Sequence, residues 1–240
     1  MYQCIIKRMK QRNIKLFCLP YAGSSAYNYL VWSQYFDESV KILPIELKGR
    51  GSRLKEPFYS SFQEAVDDAY NFVKSSINEK SEFAIFGHSM GGLLAYEICM
   101  KIIEDQGKLP ESLIISGKNP PNIKGQKIEW CNEKKLFETF DAIPKTVWDD
   151  PKLKNIFIPI LHADCKILDQ YQFENKREKL SIDIDVFYGK DDTTTPINMI
   201  EKWSELTSGS CSIHSFPGKH FFIKEDIQNV VNEIKKILCI

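Results

Sequence analysis

Five consecutive residues, Gly87-His88-Ser89-Met90-Gly91, set a serine between two glycines in the pattern G-x-S-x-G. An apolar run, Phe83-Ala84-Ile85-Phe86, precedes them, and Gly92-Leu93-Leu94-Ala95-Tyr96-Glu97-Ile98, of helical character, follows. A serine lifted onto a tight turn between a strand and a helix has a strained backbone, and glycines two residues to either side remove side chains that would clash. The turn exposes the hydroxyl and aims the helix N-terminus at it. Ser89 is therefore the candidate nucleophile.

A serine hydroxyl attacks poorly until a group within hydrogen-bond reach takes its proton. Four histidines compete. His88, adjacent to the nucleophile, points away from it and is expected to pack; His214 alternates with Ile213 in a strand and reads as a satisfied strand histidine; His162 falls in a long connection. His220 follows Pro217-Gly218-Lys219 in a loop after the last strand. Loops beyond the carboxyl edge of a parallel sheet are where such sites assemble, so His220 is preferred as base, with His162 the alternative. The acid that orients the imidazole should lie between serine and histidine in chain order. Gly189-Lys190-Asp191-Asp192 offers two, and the G-x-x-D-x-x-x-P spacing to Pro196 favours Asp192 over Asp191. Either could instead cap a helix or line a turn.

Acyl transfer also needs donors for the oxyanion, typically two backbone N–H groups. Met90 supplies one by position, and the loop Leu19-Pro20-Tyr21-Ala22-Gly23-Ser24-Ser25 supplies the other, through Ala22 in preference to Tyr21. That loop contains neither G-x-G-x-x-G nor Lys-Ser/Thr, which argues against a nucleotide site.

These groups need a frame. Strand-length apolar runs near Ile14–Leu19, Val40–Ile45, Phe83–Phe86, Leu113–Ser116, Ile182–Tyr188 and Ser212–Phe216 alternate with stretches of helical period. That alternation predicts an α/β fold, a mostly parallel sheet covered by helices on both faces. Phe62, Val66, Ala69, Tyr70, Val73 and Ile77 recur at three- and four-residue steps and predict a helix over Ser61–Ile77; Leu93–Ile103 and Ile227–Leu238 repeat the spacing. From about 123 to 179 the alternation stops, and helical pieces at Glu133–Phe140, Asp150–Ile156 and Ile160–Tyr171 are interrupted by Pro144, Pro151 and Pro159. A connection of that length inside a compact fold reads as a helical lid. Residues 1–240 are expected to form one domain that carries it.

Lys plus Arg and Asp plus Glu both number 32, so no excess charge points to nucleic acid or an anionic membrane. The basic stretch Lys7–Arg12 lacks the apolar segment of a secretory signal, and no run approaches the roughly 18 apolar residues that cross a bilayer. Seven scattered cysteines without C-x-x-C spacing suggest neither a disulfide framework nor a zinc site, and read as reduced thiols in a cytoplasmic protein.

Taken in order, several segments resemble the type II thioesterases associated with nonribosomal peptide and polyketide synthases, members of the α/β-hydrolase superfamily. Phe17–Ser25 is similar to the family's opening strand and oxyanion loop; Glu46-Leu47-Lys48-Gly49-Arg50-Gly51-Ser52-Arg53 with Glu56-Pro57 resembles P-G-R-G-x-R-x-x-E-P; Gly87–Gly92 is the elbow. Pro159-Ile160-Leu161-His162-Ala163-Asp164 resembles P-x-L-R-A-D, and Pro217-Gly218-Lys219-His220-Phe221-Phe222 resembles P-G-G-H-F-F. The chain departs from these patterns at Lys48, His162 and Lys219, and Lys219, beside the candidate base, is expected to face solvent. The resemblance implies a serine thioesterase that clears acyl groups from the phosphopantetheine arm of acyl- or peptidyl-carrier domains, as a monomer, with no metal or cofactor of its own. A small-molecule carboxylesterase or lipase, and a non-catalytic binding module, share the fold and stay open.

Overall fold

The computed structural model describes residues 12–123, 147, 149–174 and 177–240. Six strands, β1 (Ile14–Leu19), β2 (Val40–Pro44), β3 (Glu82–His88), β4 (Leu113–Ser116), β5 (Ile184–Gly189) and β6 (Cys211–Phe216), form one sheet in the order β2-β1-β3-β4-β5-β6. Every neighbouring pair is parallel. The apolar runs explain why: β3 and β4 bury residue after residue without alternation, which only a sheet covered on both faces permits. The edge strands β2 and β6 are less buried. From β1 the chain steps to β2 on one side and then to β3 on the other. That reversal opens a crevice beyond the carboxyl ends of β1 and β3, where α/β sheets take their ligands.

The helices are α1 (Tyr27–Leu30), running into a 3-10 turn at Val31–Tyr35, α2 (Phe62–Ser76), α3 (Met90–Glu104), α4 (Pro151–Gln170), α5 (Ile197–Ile200), running into a 3-10 turn at Glu201–Leu206, α6 (Phe222–Glu225) and α7 (Ile227–Ile237). The hydroxyl of Ser61 caps α2 by accepting the Glu64 N–H, and Phe62, Ala65, Val66, Ala69, Tyr70 and Val73 form its buried stripe. α3 starts at Met90, earlier than its periodicity suggests, because it begins on the turn that holds Ser89.

Two expectations change. Asp150–Ile156 and Ile160–Tyr171 are one helix, α4, which passes straight through Pro159. An interior proline costs about 3 kcal/mol, and burying an aliphatic side chain recovers about 1.5–3 kcal/mol. Ile158, Ile160 and Leu161, all buried around the proline, outweigh it. α4 is seated on the body by Tyr171, whose ring meets Phe62 edge-on at 5.1 Å and whose hydroxyl donates to Glu97 Oε1 at 2.6 Å. The expected piece at Glu133–Phe140 lies outside the described residues. The second change concerns the thiols: Cys18, Cys99, Cys165 and Cys211 are free, whereas Cys239 is disulfide-bonded.

Candidate active site

Ser89 follows the last residue of β3 and precedes the first of α3, with φ 54° and ψ −115°. A non-glycine residue held there costs on the order of 1–3 kcal/mol, and the surrounding packing explains how it is held. Its N–H donates to Ser116 O at 2.7 Å, tying the turn to the end of β4. A Cβ at Gly87 would stand 2.0 Å from Gly91 O, and one at Gly91 would stand 2.2 Å from Leu19 O. Both positions therefore exclude any side chain, and the start of α3 presses against the exit of β1.

His220 and Asp192 come from neighbouring loops joined through their backbones, Lys190 N to Phe216 O at 2.9 Å and Asp191 N to Gly218 O at 3.0 Å. His220 Nδ1 lies 2.7 Å from Asp192 Oδ2. A carboxylate only accepts, so Nδ1 carries the hydrogen and Nε2 keeps its lone pair. Thr194 donates to Asp192 Oδ1 through N–H at 2.8 Å and through its hydroxyl at 2.6 Å, and Thr195 Oγ1 donates to Oδ2 at 2.6 Å. Burial alone would raise the Asp192 pKa, but the bond and charge of His220 and the two threonine hydroxyls hold it well below the usual carboxylate range. Asp191 is exposed, and what ties it to the base loop is its backbone. Lys219 is also exposed.

The candidate base lies near the turn that holds Ser89. The His220 ring is centred 5.0 Å from that of His88, the residue before Ser89, and 4.9 Å from Phe221. His88 itself is fully buried, with Nδ1 2.9 Å from Ser116 Oγ. Burial, and secondarily the charge of His220, push its pKa well below the ordinary histidine range, so it stays neutral packing. His162 sits half-buried on α4. His214 is bound on both ring nitrogens, to Asp185 Oδ1 at 2.8 Å and Glu233 Oε1 at 3.0 Å.

The two candidate oxyanion donors flank the crevice. Met90 opens α3, where a first-turn N–H has no partner within its own helix. Ala22 lies in a turn closed by Ser24 N to Tyr21 O at 2.9 Å, and the neighbouring Gly23 N–H is taken by Asp164 Oδ2 at 2.7 Å. Arg50 pairs with the same Asp164 through two bonds of 2.6 Å. Sequence reasoning quoted Arg50 and Asp164 in separate motifs and joined neither to the site; Thr194 and Thr195 also went unassigned. A residue between the acid and Pro196 that can hydrogen-bond a carboxylate was the signal for the threonines, whereas nothing along the chain pairs residues 50 and 164.

Among the described residues no group of three or more His, Cys, Asp or Glu is arranged to hold a metal ion, and no helix is long and apolar enough to cross a membrane. A serine on a strained elbow, and near its turn a histidine whose Nδ1 is held by a buried carboxylate, are the kinds of group that acyl transfer through a covalent intermediate uses.

Comparison with known proteins gives that chemistry a substrate class. The family model "Thioesterase domain" matches residues 14–238. The gramicidin S biosynthesis protein GrsT of Aneurinibacillus migulanus is 30% identical over 230 residues, covering 94% of this chain and 89% of its own. The medium-chain S-acyl fatty acid synthase thioesterase of Rattus norvegicus is 32% identical over 234 residues, 93% of this chain and 88% of its own. Among solved structures, ClbQ from the colibactin NRPS/PKS pathway superposes with a TM-score of 0.86 at 30% identity, over 94% of this chain and 97% of that one. With the family model spanning the whole sheet and the elbow within it, this chain belongs to the thioesterase family, as a thioester hydrolase of the α/β-hydrolase fold.

Proposed function

We propose that this thioesterase releases acyl groups from the phosphopantetheine arm of carrier-protein domains, clearing misprimed or stalled nonribosomal peptide or polyketide synthases. The observation that carries the reading is the pair of relatives, GrsT and ClbQ, each 30% identical over 94% of the chain, the first named for gramicidin S biosynthesis and the second for an NRPS/PKS pathway. His220 Nε2 takes the Ser89 proton as Oγ attacks the thioester carbonyl, and the N–H groups of Ala22 and Met90 hold the oxyanion. The imidazolium, stabilised by Asp192, protonates the departing pantetheine sulfur. His220 then takes a proton from water as it attacks the acyl-serine, and gives that proton to Ser89 Oγ as the acyl–oxygen bond breaks and the acid leaves. The phosphopantetheine belongs to the carrier, so this chain needs no cofactor. A helical lid over about 123–179, of which α4 is the long described helix, would govern entry of the arm. The enzyme acts as a monomer in the cytoplasm in this reading.

Intact-protein mass spectrometry of acyl-loaded carrier domains tests it. Wild type should strip the acyl group and leave holo-carrier, and Ser89→Ala should not. A wild type that spares every carrier while hydrolysing p-nitrophenyl esters would make it a small-molecule esterase instead. The rat relative favours a second reading, medium-chain acyl groups on a fatty acid synthase carrier. Carriers loaded with eight- to twelve-carbon chains, set against aminoacyl or short acyl loads, separate the two.

A further inference from the structure

Asp164 and Arg50 sit outside the group of residues that would touch substrate, yet both are almost fully buried, with side chains about 2% exposed. Asp164 Oδ2 accepts from Gly23 N at 2.7 Å and from Arg50 Nη1 at 2.6 Å, and Oδ1 accepts from Arg50 Nη2 at 2.6 Å. Arg50 Nη1 also donates to Ser24 O at 3.1 Å. The pair therefore grips the peptide unit between Ala22 and Gly23, through its N–H, and the one between Ser24 and Ser25, through its carbonyl. Gly23 has φ +77°, and a Cβ there would come within 3.0 Å of Phe157 and 3.3 Å of Leu161. Phe157, Leu161 and Asp164 all lie on α4. The same helix thus gives the loop its apolar wall and its anionic anchor. At the loop's far end Glu46 accepts from Ala26 N at 3.0 Å and Ser25 Oγ at 2.8 Å.

We infer that Asp164 and Arg50 are positioning residues for the oxyanion hole: α4, through Asp164, aims the Ala22 N–H at the place where the thioester oxygen becomes negative. The inference rests on the proposed acyl-transfer reading and adds to it the device that sets one of its donors. A buried ion pair is a poor source of net stability, because desolvation offsets much of its Coulombic gain. Its value here is geometric. Donors in an oxyanion hole act through their orientation, and one that is misaimed loses most of its effect.

The test compares Asp164→Asn and the double variant Arg50→Met/Asp164→Leu with wild type. The double variant fills the buried space with apolar side chains of similar volume, a replacement that proteins commonly tolerate. On an acyl-pantetheine thioester both should lose about 10- to 100-fold in kcat, with KM within about threefold. On the matching dithioester, whose developing thiolate is a weaker hydrogen-bond acceptor, the loss should stay within about threefold. An equal loss on both substrates would mean a general structural role and would overturn the inference. Hydrogen exchange at the amides of residues 21–24 gives a reading that needs no substrate: it should speed up in both variants, and unchanged exchange would overturn the anchoring. If wild type hydrolyses no acyl-pantetheine thioester, the functional reading fails by itself, and the exchange measurement still decides whether the pair anchors the loop.

Discussion

Two histidines on adjoining segments, His214 and His220, each hold an aspartate at hydrogen-bond distance, yet their surroundings suit them to different work. His214 lies within β6, and its nitrogens are both taken, Nε2 by Asp185 of β5 at 2.8 Å and Nδ1 by Glu233 of α7 at 3.0 Å. Asp185 in turn accepts from Ser112 Oγ at 3.0 Å. His220 lies past the end of β6, where Nδ1 is held 2.7 Å from Asp192 and, among the described residues, no bond to Nε2 is seen. A histidine with both nitrogens bound between carboxylates is a structural cation. One held on a single side, at the carboxyl edge of the sheet, keeps a lone pair for a proton in transit. In the proposed mechanism, what separates a brace from a base is the occupancy of the second nitrogen, set by whether the histidine lies within β6 or past its end.

The contrast is broken most severely at His220. His220→Ala should lower kcat on a thioester by about 10,000- to 1,000,000-fold with the fold intact, whereas His214→Asn should leave kcat within about threefold. Steady-state rates together with circular dichroism check both. Next come the partners: Asp192→Asn should cost about 1,000- to 10,000-fold in kcat, because the imidazole loses its orienting acceptor, while Asp185→Asn should spare the rate and lower stability. A comparable rate loss in both would erase the distinction. Asp191→Asn should change kcat by no more than about twofold, since its side chain is exposed and its tie to the base loop is through the backbone. An activity loss matching that of Asp192→Asn would move the acid to Asp191.

The smallest effect is in pH dependence. Burial alone would lower the His214 pKa, but Asp185 and Glu233 hold it above the ordinary 6.5. A raised folded-state pKa means that the pairing stabilises in full below about 6.5 and is lost as pH climbs through the folded value. His214→Asn should therefore destabilise by about 1 kcal/mol at pH 5.5 and by less at pH 8.5, read from urea denaturation at both. A penalty that grew with pH would show that the histidine is neutral in the fold.

Much of this was legible along the chain because the signals are local. The β3 run, the two glycines and the helix start lie within one short stretch, and Ser89 occupies the strained turn that such a stretch predicts. Asp192, preferred by its spacing to Pro196, is the buried aspartate of its pair. Pro159 misled because a helix breaker was weighed without the burial of Ile158, Ile160 and Leu161 around it. The bonds that join Arg50, Asp164 and Gly23 had no sequence signal at all, since nothing in the order of residues states that position 50 will meet position 164.

The amino-acid sequence by itself determined the alternation of strands and helices, the elbow that lifts Ser89, and the loops in which a base and an acid had to be sought. Apolar periodicity and glycine spacing act over a few residues, so they survive in the order of the chain. Only the tertiary structure decided which aspartate turned inward onto His220, which histidine had both nitrogens consumed, and that α4 reaches the loop of Ala22 through Asp164. Those outcomes depend on burial and on hydrogen-bond partners that come together when the sheet and its helices close on one another.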